Sequence, residues 1–386
     1  MFLCLMKARC AAAALCVATI FISSARADDI SAASIGLRGG YDSNPANIEG
    51  GKGSAFVTQF ASWDFLRGSD KDGYGVTLNA AATFYDPRVL AAALNNAATF
   101  RHAVALGDNL LLRSTLSATQ EQTWSRRQNA LTWRERLDYE RGQLRLFLSA
   151  DTKLTSLNER NIFALGGFLP SDENFATLTL LPGIAWRTGE TEIGVSFAAS
   201  RTRYLEEFDY IGLRRRNDRW QPNLFASTLL WGAKLEGSLS AFNAKFPDRD
   251  FEGVRRILYT AKLTAPIDRV TLTASSGRSA EDTTLPFSVI NISTSHEARA
   301  SLRIDDKSSF DLFARRKTDD YVGLDAKSTT LTAGAEYQRV IAKDLTALLA
   351  GSWRRTQETG APVVDAFNLQ IGLQTRFDIA GAKPAS

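Results

Sequence analysis

Apolar and polar residues alternate with a period of two over about ten positions at a time, and short and long polar links take turns between these segments. Together these features predict an all-β chain, a transmembrane antiparallel up-and-down β-barrel. A third observation agrees. Nothing divides the 386 residues into units, although a soluble chain of this length would run to two or three domains of roughly 150 residues each. With 44% hydrophobic and 23% charged residues, the chain is too apolar for disorder, so a packed fold is expected.

The N-terminus stands apart from this pattern. Lys7 and Arg9 precede an apolar run over 11–22, and Ala25-Arg26-Ala27 follows as a small-x-small cleavage pattern, the layout of a secretory signal peptide. About 12 apolar residues fall short of the roughly 20 that a membrane-spanning helix needs. Residues 1–27 are therefore expected to be removed, leaving a barrel over 28–378 and a short tail over 379–386, with the cell outer membrane as destination. Cys4, Cys10 and Cys16 all lie in the signal, as do Lys7, Arg9 and Arg26, so the mature chain has no cysteine and carries 43 basic against 42 acidic residues. Without disulfides, stability must come from a large hydrogen-bonded sheet. Near-neutral charge argues against nucleic acid as a partner.

The strands follow in order. A first strand covers about 35–41. The next clear one carries Tyr74, Val76, Leu78, Ala80, Ala82 and Phe84 on one face against Gly75, Thr77, Asn79, Ala81, Thr83 and Tyr85 on the other. The same alternation returns at Leu144 to Ala150, at Leu235 to Ala241 and at Leu331 to Tyr337. Short turns are read at 68–70, 107–109, 141–142, 188–190, 231–232, 266–268, 305–307 and 342–344. Longer links are read at 44–53, 158–174, 206–218, 247–253, 282–287, 319–327 and 356–365. Short turns on the periplasmic side and longer links outside are the habit of outer-membrane barrels, and a Greek-key sandwich has no reason to produce them. The count is about 18 strands. Pro182-Gly183 and Pro222 fall inside two segments, and Pro cannot donate to a ladder, so dropping one pair would give 16.

Once the apolar register is set outward toward lipid, the lumen is expected to carry Arg113, Arg134, Arg136, Arg145, Lys153, Lys234, Arg315 and Arg376, with Asp138, Asp151, Glu236, Asp311 and Glu336 among them. Both signs are present with a basic excess. Mutual pairing in a wide polar interior is one reading, and a water-filled path that favours anionic solutes is the other. Trp63, Trp124, Trp133, Trp186, Trp220, Trp231 and Trp353 suit a headgroup-level girdle. Arg214-Arg215-Arg216 beside Glu206, Glu207 and Asp209 suits an internally paired external loop.

Chemistry-bearing motifs are few, and the chain is read as a non-enzyme. A barrel hydrolase needs a His that activates a Ser, and only His102 and His296 exist, both in the outward register. Metal-ligand spacing and phosphate loops are absent, so no catalytic residue, metal or cofactor is expected.

The segment Leu37-Arg38-Gly39-Gly40-Tyr41-Asp42-Ser43-Asn44-Pro45 resembles the opening of the β-barrel porins of the second type, a proteobacterial outer-membrane family. The positions that carry the likeness are Tyr41, Asp42, Asn44 and Pro45. On residue chemistry alone the run is also a good turn, because Asp and Asn bond their own backbone and Pro fixes φ. Some members resemble barrels linked to exopolysaccharide export, so the resemblance implies polysaccharide-export components as partners. Phe367, Leu369, Ile371, Leu373, Thr375 and Phe377 resemble the closing signal read by the barrel-assembly machinery, with Phe377 as its aromatic and nine residues following it. Outer-membrane lipid and lipopolysaccharide are the remaining expected partners.

Two function classes are open at this level. In one, a porin-like channel passes anionic solutes or assists exopolysaccharide export; in the other, inward side chains and folded loops close the lumen and the long loops act as a surface receptor or adhesin. A barrel hydrolase is a distant third.

Overall fold

The computed structural model describes residues 30–123, 125–159 and 172–378. The signal segment, Trp124, most of the 158–174 link and the tail over 379–386 lie outside the described residues.

Eighteen strands run in chain order: β1 Ile30–Asp42, β2 Ser54–Gly68, β3 Gly73–Tyr85, β4 Ala93–Gly107, β5 Leu110–Gln122, β6 Arg126–Arg141, β7 Leu144–Glu159, β8 Glu173–Thr188, β9 Thr191–Tyr204, β10 Asn217–Leu230, β11 Ala233–Lys245, β12 Val254–Ile267, β13 Val270–Asp282, β14 Ile290–Arg303, β15 Ser308–Tyr321, β16 Lys327–Ala342, β17 Leu345–Glu358 and β18 Val364–Asp378. Each pairs antiparallel with the next, and β1 also pairs with β18, so the sheet closes on itself with no edge strand. The all-β up-and-down barrel of 18 strands is therefore the fold. Closure leaves no edge strand for water to satisfy, which is the condition for a sheet to sit in lipid.

Strand lengths of 13 to 16 residues exceed the roughly ten that a tilted crossing needs. All eight short turns fall between strands as expected. At Trp231 and Gly232 both residues have positive φ, 52° and 79°, the backbone of a two-residue hairpin turn that only Gly adopts without strain. Two further links at the other end, over 86–92 and 123–125, do not stand out in the sequence, and the second is no longer than a short turn. Both prolines stay within continuous strands. Pairing skips Leu181 and Pro182 between β8 and β9, and Gln221 and Pro222 between β10 and β11, so each ring sits where no ladder hydrogen bond is required of it.

Register fixes the faces. Leu131, Leu148, Leu178, Ile184, Leu239, Leu312, Leu349 and Ile371 point outward and are 36% exposed or more, part of an apolar band that continues round the barrel. Such a surface is far larger than a soluble monomer leaves in water, and it fits hydrocarbon. Inward, five phenylalanines lie directly opposite glycines of a neighbouring strand: Phe56 opposite Gly40, Phe60 opposite Gly36, Phe147 opposite Gly183, Phe225 opposite Gly194 and Phe313 opposite Gly334. At Gly183 an added Cβ would come within 2.1 Å of the Phe147 ring, so the ring covers backbone that a larger residue would hold off.

One part of the wall departs from the ring. The β12–β13 ladder ends at Tyr259 and Arg278, and above that pair Val254 to Leu258 bond only to β11 while Ser279 to Asp282 bond only to β14. The upper β13–β14 hairpin leaves the wall and folds into the lumen. Its Ile290 and Ile292, at 1% exposure, pack with Phe242, Ala244, Val254 and Leu258 of the inner wall and with Val289 and Phe251.

Candidate functional site: the lumen and its mouth

The inward register of β5 to β9 gathers cations and carboxylates into a ladder near the short-turn half of the lumen. Arg113 Nη1 lies 2.5 Å from Asp138 and Arg136 Nε 3.0 Å from the same carboxylate, which is 2% exposed. Arg145 Nη2 lies 2.5 Å from Glu192, which Arg187 also holds at 2.8 Å while reaching Glu140 at 3.6 Å. Arg134 donates two bonds to Asp151, at 2.9 and 2.7 Å, with its side chain half exposed to the lumen. The Arg136 guanidinium lies 4.4 Å above the Phe147 ring, so the phenylalanine on Gly183 also sets the height of the charge. Lys153 completes the set with no carboxylate partner among the described residues. Six cations face four carboxylates here, so pairing lowers the basic excess of the wall without cancelling it.

The remaining expected lumen residues are spread around the ring. Lys234 pairs with Glu236 at 2.7 Å, Arg38 approaches Glu336 at 4.0 Å, and Arg315 donates to Ser295 at 3.4 Å. Asp311 lies 3.8 Å from Arg299. Arg376 sits at the short-turn rim, 3.8 Å from Asp378, and both are largely exposed. Phe377 points outward at the same rim. Arg187 was not anticipated. Its strand was the one interrupted by Pro182-Gly183, although Thr177, Thr179 and Arg187 share one period-two register that could have found it.

The long-loop mouth has its own structure. The 283–289 loop at the tip of the tucked hairpin is buried apart from Phe287, with Thr283, Thr284 and Ser288 at 1% exposure or less. It crosses to the end of β7, six strands away round the ring. There Glu159 accepts from the Thr283 hydroxyl at 2.6 Å and the Thr284 amide at 2.9 Å, while Arg126 holds the other carboxylate oxygen at 3.1 Å. The 205–216 loop lies against it. Arg215, with a side chain only 1% exposed, donates to Asp209 at 2.6 Å and to the carbonyls of Thr283, Leu285 and Ser288 at 2.8 to 3.0 Å. A buried pair of this kind repays its desolvation only when each donor is used, and here most are. Tyr210 adds a bond to the Thr284 carbonyl at 3.0 Å, and burial pushes its hydroxyl up to about 12, which keeps it a donor. Arg214 pairs with Glu207 at 2.8 Å, so two arginines of the triplet are held within the loop. Sequence could show that this loop pairs internally, but not that its central arginine reaches a second loop.

The residues of the opening motif lie beside the same mouth. Asp42 accepts from the Asn44 amide at 2.9 Å, and Asn44 donates to the Ile48 carbonyl at 2.7 Å. Arg354 of β17 reaches the Asn44 carbonyl at 3.0 Å, docking the 43–53 loop on the inner wall. Tyr41 faces outward and Pro45 follows within the turn.

Both histidines face outward. His296 Nδ1 lies 2.9 Å from Ser276 Oγ across β13 and β14, but no carboxylate is bonded to the ring among the described residues. His102 has no such serine contact among them. Nor does any cluster of three or more His, Cys, Asp or Glu among the described residues have the arrangement to hold a metal.

No family model matches the chain, and no curated relative matches it. Solved structures do. The chain is similar to OccK2 (OpdF) of Pseudomonas aeruginosa, with 12% identity, a TM-score of 0.50, and coverage of 91% of this chain and 98% of that one. A second structure of OccK2, in complex with glucuronate, aligns at 14% identity with a TM-score of 0.48 and the same coverage. The siderophore receptor PirA of Acinetobacter baumannii aligns at 7% identity with a TM-score of 0.48, covering 92% of this chain and 81% of that one. At these identities the likeness is one of fold. The chain has the closed fold of the outer-membrane β-barrel proteins.

Proposed function

We propose that the protein is an outer-membrane channel for anionic solutes, held in the present conformation with its extracellular mouth covered. The observation that carries this reading is the basic ladder of β5 to β9 lining the lumen below a mouth covered by two loops. Fixed cations lower the entry cost of an anion, and partial pairing keeps them from binding it too tightly to release. Eighteen strands enclose more space than inward side chains of this size fill. Acidic sugars or an acidic polysaccharide are the cargo that suits such a wall, and exopolysaccharide export is the role suggested by the opening motif. On this reading the 1–27 segment is cleaved, Phe377 presents the closing strand to the assembly machinery, lipopolysaccharide surrounds the outer face, and no chemistry is performed.

Replacing Arg134, Arg136 and Arg145 by Gln should lower the anion over cation permeability ratio in planar bilayers, and deleting the gene should reduce a surface polysaccharide. An unchanged ratio would remove the anion assignment. Normal extracellular polysaccharide in the deletion strain would remove the export role.

The covered mouth supports a second reading, a non-conducting surface receptor. Bilayer recordings on Glu159→Gln and Arg215→Met variants decide between them: conductance that rises when these tethers are cut favours the channel, and recordings that stay silent favour the receptor.

A further inference from the structure

The unpaired edges of β12 and β13 are complementary. Extending the register that ends at Tyr259 and Arg278 upward would set Leu258 opposite Ser279, Ile257 opposite Ala280, Arg256 opposite Glu281 and Arg255 opposite Asp282. Both charged pairs would be of opposite sign, Arg256 with Glu281 on the inward face and Arg255 with Asp282 on the outward face, and Ile257 with Ala280 would add apolar surface to the lipid side. In the tucked conformation these partners are apart. Asp282 is bonded by Arg219 of β10, and Glu281 lies 4.0 Å from Lys317. Arg255 and Arg256 are exposed, and among the described residues their side chains make only a bond from the Arg256 guanidinium to the Arg255 carbonyl. Directly opposed charges stabilise a ladder, whereas free strand edges are costly. The sequence thus supports a second position for this hairpin, on the wall.

A pocket of about 290 Å³ lies where the two strands part. Hydroxyls of Ser200, Ser240 and Thr260 line it, with the Gln221 amide and two guanidiniums, Arg219 and Arg278. The Arg278 Nε is buried without a hydrogen-bond partner among the described residues. Arg219, on the other wall, is engaged by Asp282, a carboxylate tethered to the hairpin that must leave if the hairpin moves. The hydroxyls and the amide around Arg219, all on the wall strands β9 to β12, suit a polyhydroxylated carboxylate.

We infer that the wall side of this pocket, with Arg219 at its centre, binds the carboxylate of an acidic sugar, which takes the place of Asp282 on Arg219 and releases the upper β13–β14 hairpin to zip onto β12 and uncover the mouth. The freed Asp282 gains Arg255, and Glu281 gains Arg256. Going back, the apolar cluster of Phe242, Val254, Leu258, Ile290 and Ile292 re-forms once the sugar departs. The inference rests on the channel reading for its purpose but not for its test.

All three cysteines lie within residues 1–27, so in protein produced from residue 28 onward an Ile257→Cys/Ala280→Cys pair reports the zipped register by disulfide formation in purified detergent-solubilised protein. Millimolar galacturonate, with galactose as the neutral control, should raise the rate of cross-linking about tenfold. Arg219→Gln or Asp282→Asn in the same background should make it fast without galacturonate. A rate that ignores galacturonate, or is unaltered by both of those variants, would overturn the site. If cross-linking responds as stated while the oxidised protein stays silent in bilayers, the switch stands and the channel reading falls. If anion selectivity depends on the arginines while cross-linking is indifferent to galacturonate, the channel reading stands and the switch falls.

Discussion

Replacing Arg215 by Met keeps an unbranched stem in place but leaves the Asp209 carboxylate and three loop carbonyls without their donor. Breaking a buried ion pair from one side costs about 3–5 kcal/mol, and here the loss falls on two loops rather than on the sheet. Arg215→Met should therefore leave the gel-shift unfolding temperature of the barrel near that of the wild type while opening the 205–216 loop to protease. Phe147→Ala should do the opposite. It removes a 7%-exposed ring from Gly183 and from beneath Arg136, a loss of about 3–5 kcal/mol that the wall itself bears, so the heat-modifiable band should shift at a lower temperature. Tyr210 gives a pH signature. Its raised pKa means that the closed mouth is fully supported below the unfolded value near 10 and loses that support as pH rises toward about 12. Protease access to the loop should be flat from about pH 6 to 9 and rise above about 10, and Tyr210→Phe should abolish the rise.

Strands β5 to β9 act as a unit because their inward residues share carboxylates. Asp138 serves both Arg113 and Arg136, and Glu192 serves both Arg145 and Arg187. Removing an arginine exposes an acid, and removing an acid exposes an arginine, so the two kinds of variant must move selectivity in opposite directions. Asp138→Asn should raise the anion over cation permeability ratio by roughly twofold where the triple arginine variant lowers it. A shift of the same sign in both would mean that the ladder does not face the ion path. The β12–β13 boundary is the contrasting case, because there the element's pairing, and not its charge, is incomplete.

At the scale of the whole molecule, the closed ladder and the outward apolar band are one requirement seen twice. A sheet without edges needs no water for its backbone, and only hydrocarbon accepts its surface. Leu148→Arg, on the outward face of β7, should cost about 2–4 kcal/mol if it sits near the bilayer midplane, and a rim substitution such as Thr375→Arg about 0–1 kcal/mol. The yield of heat-modifiable barrel in the outer membrane measures both. Equal yields would place Leu148 outside the hydrocarbon.

Period-two alternation is a local property, so the strand register, the outward face and the eight short turns were legible in the sequence. The inward list followed from the same alternation: once Leu131 and Leu148 faced lipid, Arg134, Arg136 and Arg145 had to face in. Partners were not legible. Arg145 on β7 reaches across β8 to Glu192 on β9, and Arg126 meets Glu159 across the β6–β7 hairpin, and alternation within one strand says nothing about which carboxylate a cation on another strand will reach. The covered mouth was less legible still. Glu159 and Thr283 meet across the barrel, and Ile290 and Ile292 of the tucked hairpin keep the alternation in a place where its outer face meets protein instead of lipid. The sequence determined that this chain is a barrel and which side chains it turns inward, because those depend on neighbours two residues apart. Only the tertiary structure decided that the barrel has a cover, because that depends on contacts made across the ring.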